Sequence, residues 1–168
     1  MKYSLNKKGF TLAETLMAIT ILLMVTAIIA GGIPAAVRVY NTAIDKANAQ
    51  VALSTTVTVL KDELSSAKDV ETEGKNIIYT NGRTGVVNMI YSAEDMNIKL
   101  QEYANSSSAD KPEPYSIVSE KAITDKLVSS FEEATYSNGI VTIRNLKISK
   151  DGNSSAELGE LKIRVIND

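Results

Sequence analysis

From Thr15 to Val37 this chain carries no charged side chain, and the run opens directly behind Lys7-Lys8-Gly9-Phe10-Thr11-Leu12-Ala13-Glu14. As a helix that stretch crosses a bilayer, since a span takes about 20 apolar residues. It therefore belongs in lipid or against other chains, and only the residues behind it are left to build a core. Glu14 stands at the mouth of the run. An ionised acid costs roughly 2.5–3.5 kcal/mol at the centre of a span, less near one end, and it calls for a partner. A functional carboxylate is expected there.

The 168 residues fit one membrane segment and one modest domain. The formal charge is −2, which offers no basic field for nucleic acid. There is no His, Cys or Trp. A Ser-His-Asp triad, a Cys nucleophile, a disulfide and an ordinary zinc site are all excluded on composition. The chain is expected to be no enzyme and to need no cofactor or metal.

Lys2, Lys7 and Lys8 precede the run, and Glu14 is the one acid among the first thirty residues. Positive charge before a span keeps that end in the cytoplasm, so the remainder is expected outside after a single pass. Three readings fit: a plain signal anchor, a secretory signal cut near Ala30-Gly31-Gly32, or a processed subunit that uses the span for assembly. The apolar stretch exceeds the 7–15 residues usual in a secretory signal, and an acid sits at its entrance. A plain anchor has no need of Glu14.

Gly9-Phe10-Thr11-Leu12, with Glu14 beside the apolar run, resembles the class III leader of type IV pilins and pseudopilins. The likeness is strong over Lys7 to Val37 and architectural beyond. Ala13 and Thr15 depart from it slightly, standing where bulkier aliphatics are commoner. The resemblance implies that a membrane-embedded prepilin peptidase cuts between Gly9 and Phe10 and N-methylates Phe10. It implies that Glu14, the fifth mature residue, pairs with the amino terminus of a neighbouring subunit during assembly. Its implied partners are the peptidase, other pilin-like subunits, the membrane assembly platform and the lipid bilayer. The implied function is a structural subunit, minor pilin or pseudopilin, of a type IV pilus or type II secretion-like filament. The lack of the C-terminal Cys pair common in Gram-negative pilins tilts the choice towards a minor pilin or pseudopilin, or a Gram-positive system. No phosphate-binding Gly-Lys motif of the Walker type is present, so energy for polymerisation comes from a separate motor. The competing reading is a single-pass anchored extracellular binding domain that never polymerises.

Helical spacing continues past the span. Val37, Tyr40, Ile44, Ala47 and Val51 form a stripe, and Leu53, Val57, Leu60, Leu64 and Ala67 continue the pattern shifted by two. Helix is expected from Phe10 to about Lys68, roughly 90 Å at 1.5 Å per residue, too long for a domain of this size to bury. Gly31, Gly32 and Pro34 predict a kink, because Pro34 cannot donate to the Ala30 carbonyl. It reads equally as an ordinary transmembrane kink or as a point that stretches on filament entry.

The chain divides into four regions: a leader at 1–9, a transmembrane and assembly half-helix at 10–37, an outer half-helix at 38–69, and a β-rich domain at 70–168. Glu71 to Lys75 reads as a polar connector. Asn76–Tyr79 and Val86–Tyr91 read as strands around an Asn81–Gly85 hairpin loop, and Asn105–Pro114 as an exposed loop. Ile123, Leu127 and Phe131 suggest a short amphipathic helix. Ile140–Ile143 and Leu146–Ile148 flank a change of phase at Arg144-Asn145, and Leu161, Ile163 and Val165 alternate as a half-buried strand. Asp151-Gly152 marks a turn, in a loop of several residues. Asp151, Asn153 and Glu157 offer oxygens that a calcium-binding pseudopilin would use, but without the EF-hand spacing. The expected fold is α+β and pilin-like: a long N-terminal helix, its first half transmembrane, packed against three to five antiparallel strands. Its location would be the inner or cytoplasmic membrane with the C-terminal domain outside, then a cell-surface or periplasmic filament.

Overall fold

The computed structural model describes residues 11–93, 97–102, 113–117, 127–150 and 153–166. The chain forms two compact units, Met1–Ala43 and Ile44–Asp168. One helix, α1 (Leu12–Ser65), contributes to both. It runs unbroken through Gly31-Gly32-Ile33-Pro34, where the proline forfeits one intrahelical bond and the neighbouring turns keep theirs. In the first unit every described residue is exposed.

In the second unit α1 becomes half-buried, on the face of the stripe's second half (Leu60, Leu64) and not on that of its first half. The buried residues are Ala49, Ala52, Thr56, Leu60 and Leu64, spaced three and four apart. Val51 remains 56% exposed, and Val37, Tyr40 and Ile44 are exposed as well. The first half of the predicted stripe is thus corrected: small side chains, not Val and Tyr, face the sheets, because they admit the close approach of a strand layer. Thr56 is tolerated in the core because its hydroxyl donates to the Ala52 carbonyl at 2.9 Å.

The helix ends at Ser65, short of the expected Lys68. Ser65 and Ser66 turn their hydroxyls onto the Asp62 and Glu63 carbonyls at 3.3 and 3.4 Å, and the Ile166 amide donates to the Ser65 carbonyl at 3.0 Å. These contacts occupy carbonyls that the last turn leaves without intrahelical donors. The chain then passes into a strand, β1 (Ala67–Glu73), where a connector was expected. Its two buried residues, Ala67 and Val70, are three apart because the register shifts between Lys68 and Glu71 and Asp69 takes φ 48°. That irregularity hides the period of two.

Nine strands occur among the described residues, more than the three to five expected, in two antiparallel sheets. The first is a meander of β1, β2 (Asn76–Asn81), β3 (Val87–Ser92), β4 (Ile98–Glu102) and the two-residue β5 (Tyr115–Ser116). Gly74 at φ 59° opens the two-residue β1–β2 turn. Between β2 and β3, Asn81 accepts from the Arg83 and Thr84 amides at 2.9 and 3.2 Å, and Gly85 takes φ 71°. The hairpin expected around Asn81–Gly85 is therefore the one observed.

In the second sheet the long β8 (Ile140–Lys150) is central. β6 (Leu127–Ser130) and β7 (Glu133–Ser137) pair end to end along one edge of it, and β9 (Asn153–Arg164) along the whole of the other. The amphipathic helix proposed near Leu127 is corrected: Leu127–Ser130 is strand and Phe131 is buried in the core, while Ile123 lies outside the described residues. The loop of several residues expected around Asp151-Gly152 is also corrected, since β8 and β9 stay paired out to Lys150 and Asn153. Asn105 to Pro112 lie outside the described residues.

The change of phase in β8 is real. Val141 and Ile143 point inward before it and Leu146 and Ile148 after it, with Asn145 at φ 52° between. Gly159 stands opposite Asn145, between the pairs Arg144–Glu160 and Leu146–Leu158. The left-handed conformation suits Asn better than most side chains, and Gly159 adds no side chain across from the bend. The sheets meet where Ala134 donates to the Gly74 carbonyl at 2.9 Å and Ile98 to the buried Ser129 hydroxyl at 3.3 Å. Their inner faces and the Leu60–Leu64 turn of α1 enclose Ile77, Tyr79, Ile90, Phe131, Ile143 and Ile163 in the main core. The α+β class expected from the sequence, a long N-terminal apolar helix packed on antiparallel sheets, is the one observed.

Candidate functional site

At the N-terminus of α1, Thr11 and Glu14 bond reciprocally. The Thr11 amide and hydroxyl donate to Glu14 Oε2 at 2.9 and 3.1 Å, and the Glu14 amide donates to Thr11 Oγ1 at 3.3 Å. This is a capping box, with Thr11 at the N-cap and Glu14 at the third helical position. The carboxylate also lies where the helix dipole favours negative charge. The Glu14 expected to act in assembly is therefore held by its own chain. The signal was legible as Thr-x-x-Glu before an apolar run, and a reading based on charge alone passes over it.

Behind the cap, Leu12, Leu16, Met17, Leu22, Leu23, Met24 and Ile28 are all exposed. This part of α1 is long and apolar enough to cross a membrane. Its few polar side chains are satisfied within the helix. Thr15, Thr20 and Thr26 donate to the Thr11, Leu16 and Leu22 carbonyls at 3.2, 2.9 and 2.7 Å. A hydroxyl bonded to its own helix needs no water, which is the condition for sitting in hydrocarbon. Gly31 and Gly32 have no heavy atom within 4 Å of where a Cβ would stand, so nothing in the described chain requires glycine there. Gly9 and Phe10 lie outside the described residues.

Residues 4–30 match the family model for the prokaryotic N-terminal methylation motif. They are a class III signal peptide, the kind carried by type IV pilins and pseudopilins. The motif includes Gly9, Phe10 and Glu14 and ends inside the apolar part of α1. It marks a pilin-type substrate of prepilin peptidase. No curated protein and no solved structure matches the chain significantly.

The second unit holds its polar contacts elsewhere. Arg83 on the β2–β3 loop grips Asp62 of α1 with both Nη atoms, at 3.2 and 2.8 Å, and this holds the Asp62 carboxyl below its usual range. The adjacent Glu63 accepts from Tyr79 Oη at 2.9 Å and Asn81 Nδ2 at 3.1 Å. Burial, then the Glu63 carboxylate, pushes the Tyr79 hydroxyl up, so it stays a donor. Beside Glu63 a cavity of about 310 Å³ is lined by Asn88, Glu102, Glu113 and Tyr115. Among the described residues no group of three or more Asp, Glu, His or Cys side chains is placed to hold a metal ion. Asn153 and Glu157 lie exposed on β9, and Asp151 is outside the described residues.

Proposed function

We propose that this chain is the precursor of a structural filament subunit, a minor pilin or pseudopilin of a type IV pilus or type II secretion-like filament. Prepilin peptidase removes residues 1–9 at the Gly9–Phe10 bond and methylates the new amino terminus at Phe10. The subunit waits in the inner or cytoplasmic membrane with its β-rich unit outside. It then enters a cell-surface or periplasmic filament through α1 and the assembly platform, with Glu14 pairing to a neighbour's terminus. It has no catalytic role and uses no cofactor. The observation that carries this reading is the methylation motif at 4–30 running into a helix whose apolar residues are exposed and whose hydroxyls bond internally.

The first experiment is the mass of the amino-terminal peptide of membrane-extracted protein from cells with an active prepilin peptidase. N-methyl-Phe10 is the expected result. An intact Met1 or Lys2 would refute the reading and favour the anchored binding domain, and a start near Ile33 would make the chain a secreted domain.

A further inference from the structure

Among the described residues, the buried apolar side chains of the second unit form two groups of unequal size. Sixteen, from Leu60 to Val165, make the main core. Four more, Ala49, Ala52, Leu127 and Ile148, make a smaller cluster under the outer end of the β8–β9 hairpin, with Ala156 packed alongside and the half-buried Leu53 touching both clusters. Two of the four are alanines, so the outer end rests on little apolar area. Burial of apolar area is the main term holding such a segment down.

We propose that the outer end of this hairpin, residues 147–150 and 153–157, is a strap over α1 that opens as one piece while the main core stays folded. The bend it would turn on is already built. Asn145 at φ 52° faces Gly159, and the inward-facing residues change phase at this point. A second irregularity lies farther out, where the register shifts between Ile148 and Ser149. The clasp is Lys150, whose Nζ lies 2.6 Å from Asp45 Oδ1 of α1, both side chains half-buried.

Opening breaks the pairing of β6 with Lys147–Lys150 and uncovers Ala49 and Ala52. It leaves Val141, Ile143 and Ile163 in place in the main core. β6 itself stays tethered to the first sheet through Ser129 and Ile98. Its amides thus report on the strap without having to travel with it.

Hydrogen exchange followed by mass spectrometry on the full chain in detergent micelles tests this. Peptides covering 127–130, 147–150 and 153–157 should share one rate, about tenfold or more above that of 140–144 and 160–164. Asp45→Asn should speed the first set by about threefold, the scale of a half-exposed ion pair, and leave the second set unchanged. The charge swap Asp45→Lys with Lys150→Asp should restore the slower rate. A gradient falling smoothly from the hairpin tip to Ile140 would reduce the strap to ordinary fraying and overturn the proposal. So would one common rate for both sets, or an Asp45→Asn variant that exchanges like the parent.

Discussion

Truncating Leu60 to Ala asks which face of α1 carries the core. Leu60, on the second half of the apolar stripe, is fully buried among the main-core side chains, whereas Val51, on the first half, is 56% exposed. The substitution removes three carbon atoms, worth about 2.4 kcal/mol at roughly 0.8 kcal/mol each. A residual cavity adds to that, and Leu→Ala changes in well-packed cores fall at about 2.7–5.0 kcal/mol. About 3–4 kcal/mol is therefore expected for Leu60→Ala. Val51→Ala should stay within about 0.5 kcal/mol, as surface changes do. The assay is urea unfolding of the full chain in mild detergent, read by tyrosine near-UV circular dichroism. The chain has no Trp, and Tyr79 is fully buried. With a slope of about 1.5 kcal/mol per molar urea, the midpoint should drop by about 2 M for Leu60→Ala. A drop below about 0.5 M, or an equal drop for Val51→Ala, would refute the assignment of the buried face.

The Asn145 bend should accept Gly within about 0.5 kcal/mol, while Val, which resists a positive φ, should cost roughly 1–2 kcal/mol in the same unfolding assay. Gly139→Ala should cost a similar amount, since Gly139 at φ 70° and Asn138 at φ 53° close the β7–β8 hairpin as a type I′ turn. Glu132 is held below its usual range chiefly by Lys147 and also by Asn145, and Asp62 by Arg83. For both acids the folded value lies under the unfolded one, so their contribution is fully present only above about pH 5 and is lost as pH falls through the depressed folded values. Melting temperature should fall below that pH, and Arg83→Ala with Lys147→Ala should flatten the slope; an unchanged slope would remove these pairs as its cause.

The sequence was legible where a local rule acts alone. The apolar run, the Asn81–Gly85 turn and the alternation of Leu161, Ile163 and Val165 each declare themselves without help from distant residues. Reading failed where a tertiary partner decides. Ala49 and Ala52 are poor hydrophobic signals, and only a strand layer lying close against them makes them the buried face in place of Val51. β1 was invisible because its bulge sets Ala67 and Val70 three apart, and the remaining positions apart from Thr72 are charged. The residues around Leu127 kept a helical spacing, yet pairing with Lys147–Lys150 made them strand. At the candidate site, Glu14 was found through its charge, while its bond to Thr11 was missed because capping is a matter of spacing, not polarity.

Glu14 thus carries two claims that a single substitution does not separate. Its Oε2 holds the Thr11 amide and hydroxyl, a cap worth about 1 kcal/mol of helix stability. In the proposed filament the same carboxylate pairs with a neighbour's amino terminus, a contact that low dielectric strengthens and that serves to fix register. Glu14→Ala removes both functions. Glu14→Gln keeps a side chain that can close a capping box but has no charge to offer an amine. Thr11→Ala loses the cap hydroxyl and keeps the charge. If assembly depends on charge, all three variants should be cleaved after Gly9, and quantitative mass spectrometry of sheared filaments should find the Ala and Gln variants equally depleted and Thr11→Ala retained. If the cap is what assembly needs, Gln should enter at the parent level and Thr11→Ala should not. That second pattern would return Glu14 to the bland role of starting a helix, and the motif's acid would then act within one chain instead of between two.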